Sequence, residues 1–305
     1  MLNDRPAVLV LGGTGQIGHE AARELAWLGP VSAPMRHEVD LSDARVIRDV
    51  VRALGPRIVV NAAGYTAVDA AESDVRACLR LNADLPEVLA RESRRTGALL
   101  VHFSTDYVFD GTKAAPYVES DAVHPLNAYG AAKLAGEQAI ADAAGAYLTF
   151  RTSWVYAARG RNFPLTMLRL ARERETLSVV NDQVGAPTSA TAIASAVSRV
   201  LRVLSEAPDL RAASEEATGE YHMTASGSTT WFEFAKTILA SDPRAAEQIC
   251  REIHPVTTAD YPTPAARPPY SVLDNSKLVE RFGVRLPPWR DQWRSVAAEL
   301  ARGHA

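Results

Sequence analysis

A chain of 305 residues with 47% apolar side chains is long enough for one large domain or two modest ones around a sizeable core. Its net charge of −3, with no basic tract, argues against a nucleic-acid partner. Two cysteines, Cys78 and Cys250, are too few for a disulfide framework or a cysteine metal cluster, so no metal site is expected from them and a reducing compartment is. The first residues, Met-Leu-Asn-Asp-Arg-Pro, carry no signal-peptide pattern, and the first apolar run, 7–11, is far too short to span a bilayer. These features predict a cytoplasmic protein with no membrane partner.

In chain order, 7–11 reads as a strand, 15–28 as a helix and 31–33 as a short strand. A helix follows over 43–54, with apolar residues at 46, 47, 50, 51 and 54, and then a strand over 57–61 (Arg-Ile-Val-Val-Asn). Residues 70–95 read as helical with a break near Pro86, 98–103 as a strand, 128–144 as a helix and 147–151 as a fifth strand. Continuous apolar strands alternating with helices predict a parallel sheet covered on both faces. Past about residue 155 prolines become frequent, and helical stretches remain at 163–174, 190–204, 230–239 and 291–301. This predicts an α/β protein with a first domain over 1–155 and a smaller mixed lobe over 156–305, the two free to interleave.

The segment Gly12-Gly-Thr-Gly15-Gln16-Ile17-Gly18 follows the first strand and opens the first helix. Glycines at i, i+3 and i+6 permit a tight turn and close approach of backbone N–H groups to a pyrophosphate, and the helix dipole favours the anion. In that strand–turn–helix context the pattern predicts a Rossmann-type, doubly wound dinucleotide-binding sheet. No acidic residue stands clearly at the end of the second strand to grip an adenosine ribose. Arg36 there suits a 2′-phosphate and favours NADPH, while Glu38 nearby favours NADH.

Ligands of an open parallel sheet bind outside the carboxyl ends of its strands. Those ends carry Gly12–Gly15, Asn61-Ala62-Ala63-Gly64, Ser104-Thr105-Asp106-Tyr107 and Thr152-Ser153-Trp154. Tyr129 and Lys133 begin the helix after the fourth strand. The chain has only four lysines among thirty-three basic residues, so a lysine one turn after a tyrosine stands out. Residues i and i+4 share a helix face, and an ammonium beside a phenol lowers its pKa from about 10, giving a proton donor usable near neutral pH.

Together these residues resemble the short-chain dehydrogenase/reductase superfamily, in its extended branch acting on sugar nucleotides, and within it the dTDP-4-dehydrorhamnose reductases. The carrying segments are residues 12–18, Val-Asp-Leu-Ser-Asp (39–43), Asn-Ala-Ala-Gly-Tyr-Thr (61–66), Ser-Thr-Asp-Tyr-Val-Phe-Asp-Gly (104–111), Tyr-Gly-Ala-Ala-Lys (129–133) and Arg-Thr-Ser-Trp-Val-Tyr (151–156). Asn-Asp-Gln-Val-Gly-Ala-Pro-Thr (181–188) and Ala-Arg-Pro-Pro-Tyr (266–270) extend the match into the second lobe. The resemblance implies hydride transfer from NADPH to C4 of a dTDP-4-keto-6-deoxy sugar. In it Tyr129 protonates the C4 oxygen, Lys133 lowers the tyrosine pKa and holds the nicotinamide ribose, and Thr105 bonds the carbonyl oxygen or the Tyr129 hydroxyl. Ser104 is the adjacent alternative to Thr105. Asp40 and Leu41 would flank the adenine, and Gly64, Tyr65 and Thr66 would line the diphosphate side with Ala62 and Ala63. Asp106, Trp154, Asp182, Gln183 and Arg267 would face the sugar nucleotide. The resemblance also allows a homodimer and a Mg²⁺ ion.

A 4,6-dehydratase needs an acid and a base after the threonine, and here Asp106 is followed by Tyr107. A 4-epimerase holding NAD, a reductase giving the C4 epimer, and a non-catalytic regulatory subunit on this fold are the other readings. The intact Tyr129 and Lys133 weigh against the last.

Overall fold

The computed structural model describes residues 7–303. The segment read above for a signal peptide lies outside them. The first half runs β1 (Val8–Leu11), α1 (Gln16–Glu24), β2 (Val31–Ser32), α2 (Ala44–Leu54), β3 (Ile58–Asn61), α3 (Val68–Ala71), α4 (Val75–Leu79), α5 (Leu85–Thr96), β4 (Leu99–Thr105), α6 (Ala128–Asp142) and β5 (Tyr147–Thr152). Then come β6 (Val155–Tyr156), α7 (Phe163–Glu173), β7 (Thr176–Val180), β8 (Val184–Gly185), β9 (Thr188–Ser189), α8 (Ala190–Ser205), α9 (Leu210–Glu216) and β10 (Gly219–His222). β11 (Thr229–Thr230), α10 (Trp231–Ala240), β12 (Glu252–Val256), α11 (Ser276–Phe282) and α12 (Trp289–Arg302) complete the order.

Six parallel strands form the main sheet in the order β10-β5-β4-β3-β1-β2. β1 has β2 on one side and β3 on the other, so the winding reverses there and opens a crevice at the strand carboxyl ends. The continuous apolar reading of the strands follows from burial on both faces. Val8, Val10, Val60 and Val101 pack with Ile193, Val197 and Leu201 of α8. Leu9, Leu11, Val59 and Leu100 pack on the opposite face with Ile47 of α2, Leu89 of α5 and Ile140 of α6. A separate core in the second lobe gathers Tyr156, Met167, Phe234, Trp289 and Trp293. β10, α8 and α11, all past residue 155, complete the sheet and its cover.

The helical stretch before β4 is interrupted differently from the expected break at Pro86. The chain leaves α3 at Glu72 and restarts α4 after Asp74, whose side chain accepts from the Ala77 N–H. A π-turn over Arg80–Asp84 then feeds Pro86 into the first turn of α5, where a missing N–H costs nothing. The π-turn lies so close to α6 that a Cβ on Gly136 would fall 2.1 Å from the Asn82 carbonyl oxygen.

Candidate active site

The strand ends open into a cleft of about 1040 Å³, above the range of a single small-molecule pocket and large enough for two ligands side by side. Its floor is the glycine turn. Gly12 adopts φ 81°, and a Cβ there would lie 2.6 Å from the Ala63 nitrogen, so only glycine lets β1 pass under the Ala62–Ala63 backbone. Gly18 plays a packing part, since its Cβ would meet the Gly12 carbonyl oxygen at 2.1 Å. Gly15 closes the turn by donating its N–H to Gly12 O at 2.8 Å, and no side chain caps the α1 N-terminus behind it. An uncapped helix N-terminus on a glycine turn fits a diphosphate.

Gly12, Gly15, Gln16, Ile17, Arg36, Asp40, Leu41, Ala62, Ala63, Gly64, Tyr65 and Thr66 all line the cleft, while Gly18 lies behind it. Asn82 of the π-turn clamps the third-strand loop. Its Oδ1 accepts from Tyr65 N–H at 3.0 Å, and its Nδ2 donates to Tyr65 O at 2.9 Å. Glu38 is occupied, its carboxylate accepting from the Met35 N–H at 2.6 Å, whereas Arg36 lines the cleft with an exposed side chain. That arrangement favours a 2′-phosphate over a bare ribose hydroxyl.

On the opposite rim, Asn127 caps α6 by accepting from Gly130 N–H at 2.7 Å, and Glu72 accepts from Ala128 N–H at 2.8 Å. These bonds fix the first turn and hence Tyr129. Burial pushes the Tyr129 phenol up from its ordinary value, and a hydrogen bond with Thr105 opposes the shift. The Thr105 Oγ1 also accepts from Tyr107 N–H at 3.2 Å and donates to Asp106 Oδ1 at 3.1 Å. Ser104, the alternative, has a buried hydroxyl with no protein partner. The expected effect of Lys133 on Tyr129 is not the leading influence. The lysine, 5% exposed, turns under the sheet end, donates to Phe103 O and lies 3.3 Å from His102 Nε2. Burial lowers its pKa to about 8, with Glu137 opposing.

Asp106 is enclosed at 2% exposure, and burial raises its pKa to about 6 while hydrogen bonds from Ser271, Ser153 and Thr105 oppose the rise. Trp154 forms the far wall. Its φ is 48°, and its ring stacks on Trp231 with centroids 3.5 Å apart. Phe163 packs on Trp231 in turn, and all three line the cleft.

Three expected substrate residues are not brought to this lining. Asp182 accepts from the Thr258 N–H and hydroxyl, and Gln183 Nε2 donates to Thr258 Oγ1. Arg267 makes a two-armed bond to Asp69 at 3.0 and 2.8 Å. Residues the motifs did not mark are Trp231, Asn82, Arg80, Arg159 and Arg161, which all line the cleft. Asn162, the next residue, donates its Nδ2 hydrogen to Gln16 Oε1 at 2.8 Å and ties this loop to α1. His102, which no motif marked, touches Lys133. Among the described residues no group of three or more His, Cys, Asp or Glu is placed to hold a metal, so the Mg²⁺ expectation gains no support.

Residues 6–302 match the family model for the RmlD substrate binding domain. The chain is 51% identical over 286 residues to a dTDP-4-dehydrorhamnose reductase of Burkholderia thailandensis, covering 93% of this chain and 95% of that protein. It is 43% identical to the Escherichia coli K12 enzyme of the same name, over 96% and 97% of the two chains. Among solved structures, a Bacillus anthracis dTDP-4-dehydrorhamnose reductase in complex with NADP superposes with TM-score 0.86 at 33% identity, covering 97% and 99%. A Thermus thermophilus UDP-glucose 4-epimerase shares the fold, with TM-score 0.78 at 19% identity. On its sequence, fold and cleft, the chain belongs to the dTDP-4-dehydrorhamnose reductase family.

Proposed function

We propose that the protein reduces the C4 carbonyl of dTDP-4-dehydro-β-L-rhamnose to give dTDP-β-L-rhamnose, with NADPH as reductant. The observation that carries this is the Thr105–Tyr129 hydroxyl pair at the mouth of a glycine-turn cleft, in a chain of this family. The turn of Gly12–Gly18 and the loop Ala62–Thr66 fit the cofactor diphosphate, Asp40 and Leu41 its adenine, and Arg36 its 2′-phosphate. NADPH, when bound, supplies the hydride. Tyr129 gives its hydroxyl proton to the C4 oxygen. Burial keeps the phenol protonated at neutral pH, so the proton-bearing form is the one present when the hydride is delivered. Thr105, hydrogen-bonded to the Tyr129 hydroxyl, favours the phenolate that this transfer leaves and keeps the phenol oxygen at the rim. Lys133 holds the ribose hydroxyls of the cofactor and steadies the phenolate left behind. Trp154 and Trp231 wall the sugar side. Cys78 and Cys250, both free, suit a cytoplasmic setting, and no described helix is long and apolar enough to cross a membrane.

The test is NADPH and NADH consumption with enzymatically generated dTDP-4-dehydrorhamnose, followed by product identification. Tyr129→Phe is expected to lower turnover by about a thousandfold while leaving the NADPH dissociation constant within a few-fold, a general-acid effect. Unchanged turnover in that variant would overturn the mechanism. A 6-deoxytalose product would overturn the stereochemical assignment alone.

A further inference from the structure

His102 is wholly enclosed in the middle of β4. Parallel register sets Asn61 of β3 and Thr149 of β5 on either side of it. Successive side chains of a strand alternate faces, so these three form a polar row on one face of an otherwise apolar sheet. α6 covers that face and brings Lys133 onto the row.

The hydrogen bonds fix where the ring carries its proton. Ala63 N–H donates to Asn61 Oδ1 at 3.3 Å, which turns the amide so that Nδ2 donates to His102 Nδ1 at 3.1 Å. Nδ1 is therefore an acceptor, and a neutral imidazole then has its hydrogen on Nε2. Burial holds the ring well below its usual pKa, and the neighbouring lysine charge pushes the same way, so the ring is neutral. Nε2–H points at Lys133 Nζ, 3.3 Å away. An ammonium has no lone pair to receive that hydrogen, whereas an amine has one. On its other side Nζ donates to Phe103 O. One donor and one acceptor around Nζ match an amine better than an ammonium.

Other groups facing Lys133 do little to reverse this. Tyr129, a turn earlier on α6, and Cys78 of α4 are both held neutral by burial. Glu137, a turn later, favours the ammonium, but its carboxylate is engaged by Arg151 of β5 at 2.7 Å. Beyond Lys133, the groups beside His102 are the uncharged Asn61 and Thr149.

We propose that His102 is a positioning residue for Lys133: its Nε2–H, oriented by Asn61, holds Nζ against the Phe103 carbonyl and biases it toward the neutral amine, so that the lysine takes up a proton as the anionic cofactor binds. This rests on the cofactor reading above but not on the identity of the sugar. At pH values near and above 8, where burial leaves the free lysine largely an amine, this makes its charge a consequence of cofactor binding, with the cradle set before the cofactor arrives.

Two measurements test it. In the cofactor-free wild-type protein, ¹⁵N spectra of labelled histidine are expected to show His102 neutral and protonated on Nε2, unchanged from about pH 6 to about pH 9. The NADPH dissociation constant, followed against pH, is expected to weaken as pH rises through about 8. In His102→Leu the midpoint of that weakening should move up by about one pH unit, because the opposing N–H is gone. A purely structural role would lower thermal stability and leave the midpoint in place. A proton on Nδ1, a ring that titrates in this range, or an unmoved midpoint in folded His102→Leu overturns the proposal. The histidine spectrum of the wild type decides it even where the variant fails to fold. Neither measurement uses the sugar nucleotide, so absent turnover with that substrate sinks the proposed function without touching this result.

Discussion

The two walls of the cleft are built on different principles. The wall made by β1, β3, β4 and α6 is backed by continuous core on both faces of the sheet, and apart from Ser104 its principal polar groups are already paired: Thr105 with Asp106, Asn82 with Tyr65, Lys133 with Phe103. The wall made by the second lobe is aromatic, and its charged candidates are engaged elsewhere, Arg267 with Asp69 and Asp182 with Thr258. The chemistry is set before ligands arrive. The far side offers an aromatic stack with Arg159 and Arg161 beside it, and any part for Arg267 in grasping a diphosphate requires it to leave or share Asp69. Preorganisation is thus concentrated where charge develops during the reaction, where it contributes most.

The first wall breaks hardest at Gly136. An added methyl meets the Asn82 carbonyl at 2.1 Å, a backbone contact that no rotamer relieves. Gly136→Ala is expected to destabilise the protein by about 3 kcal/mol and to weaken NADPH binding, because the Asn82 clamp on Tyr65 shifts with it. Chemical denaturation and cofactor titration check both. Chemical stability unchanged to within error would show that the π-turn is pliable rather than fixed.

A different signature is expected from the far wall. Trp231→Ala removes the stack that supports Trp154, a contact of about 1 kcal/mol beyond its buried area. KM for the sugar nucleotide should rise about tenfold, with NADPH affinity unchanged. Equal losses in both ligands would mean that the walls are not separable.

The last effect concerns pH and shows only as a difference between pH values. Asp106 has its pKa raised to about 6 in the folded protein, above the ordinary value near 4. A raised acid binds its proton more tightly when folded, so its contribution to stability is present below about pH 4 and is lost as pH climbs through 6. At pH 8 the buried carboxylate is a cost. Asp106→Asn should therefore gain stability relative to wild type between those limits, by about 2 kcal/mol at pH 8, and show little difference at pH 4. Thermal melts across that range test it, and a pH-independent difference would contradict the raised pKa.

The legible parts of the molecule were those written in local sequence. Strands buried on both faces read as unbroken apolar runs, and Gly12–Gly18, Tyr129 and Lys133 are short motifs whose spacing alone carries their geometry. β10 was missed because Gly219-Glu-Tyr-His is polar in part and borders the sheet. His102 is not marked by any motif because its relation to Lys133 depends on the register of three strands and on a helix 31 residues later. Trp231 meets Trp154 across 77 residues of chain, and no periodicity links them. Arg267 and Asp182 were expected to face the sugar nucleotide, but their partners here, Asp69 and Thr258, are a matter of long-range folding that spacing does not encode.

The Trp154 backbone has a history written into its neighbours. At φ 48° a tryptophan is a strained choice, and a Cβ on Gly185 would fall 2.5 Å from its ring, so the indole forbids any side chain at 185. Three positions far apart in the chain, 154, 185 and 231, therefore constrain one another through a single set of contacts. A lineage that loses the indole at 154 frees 185 to vary and leaves 231 without a partner. A lineage that first acquires a side chain at 185 forfeits the stack. Substitutions at these sites are expected to be tolerated in sets and not singly, and the order in which they arise constrains which sugar pockets this scaffold can reach.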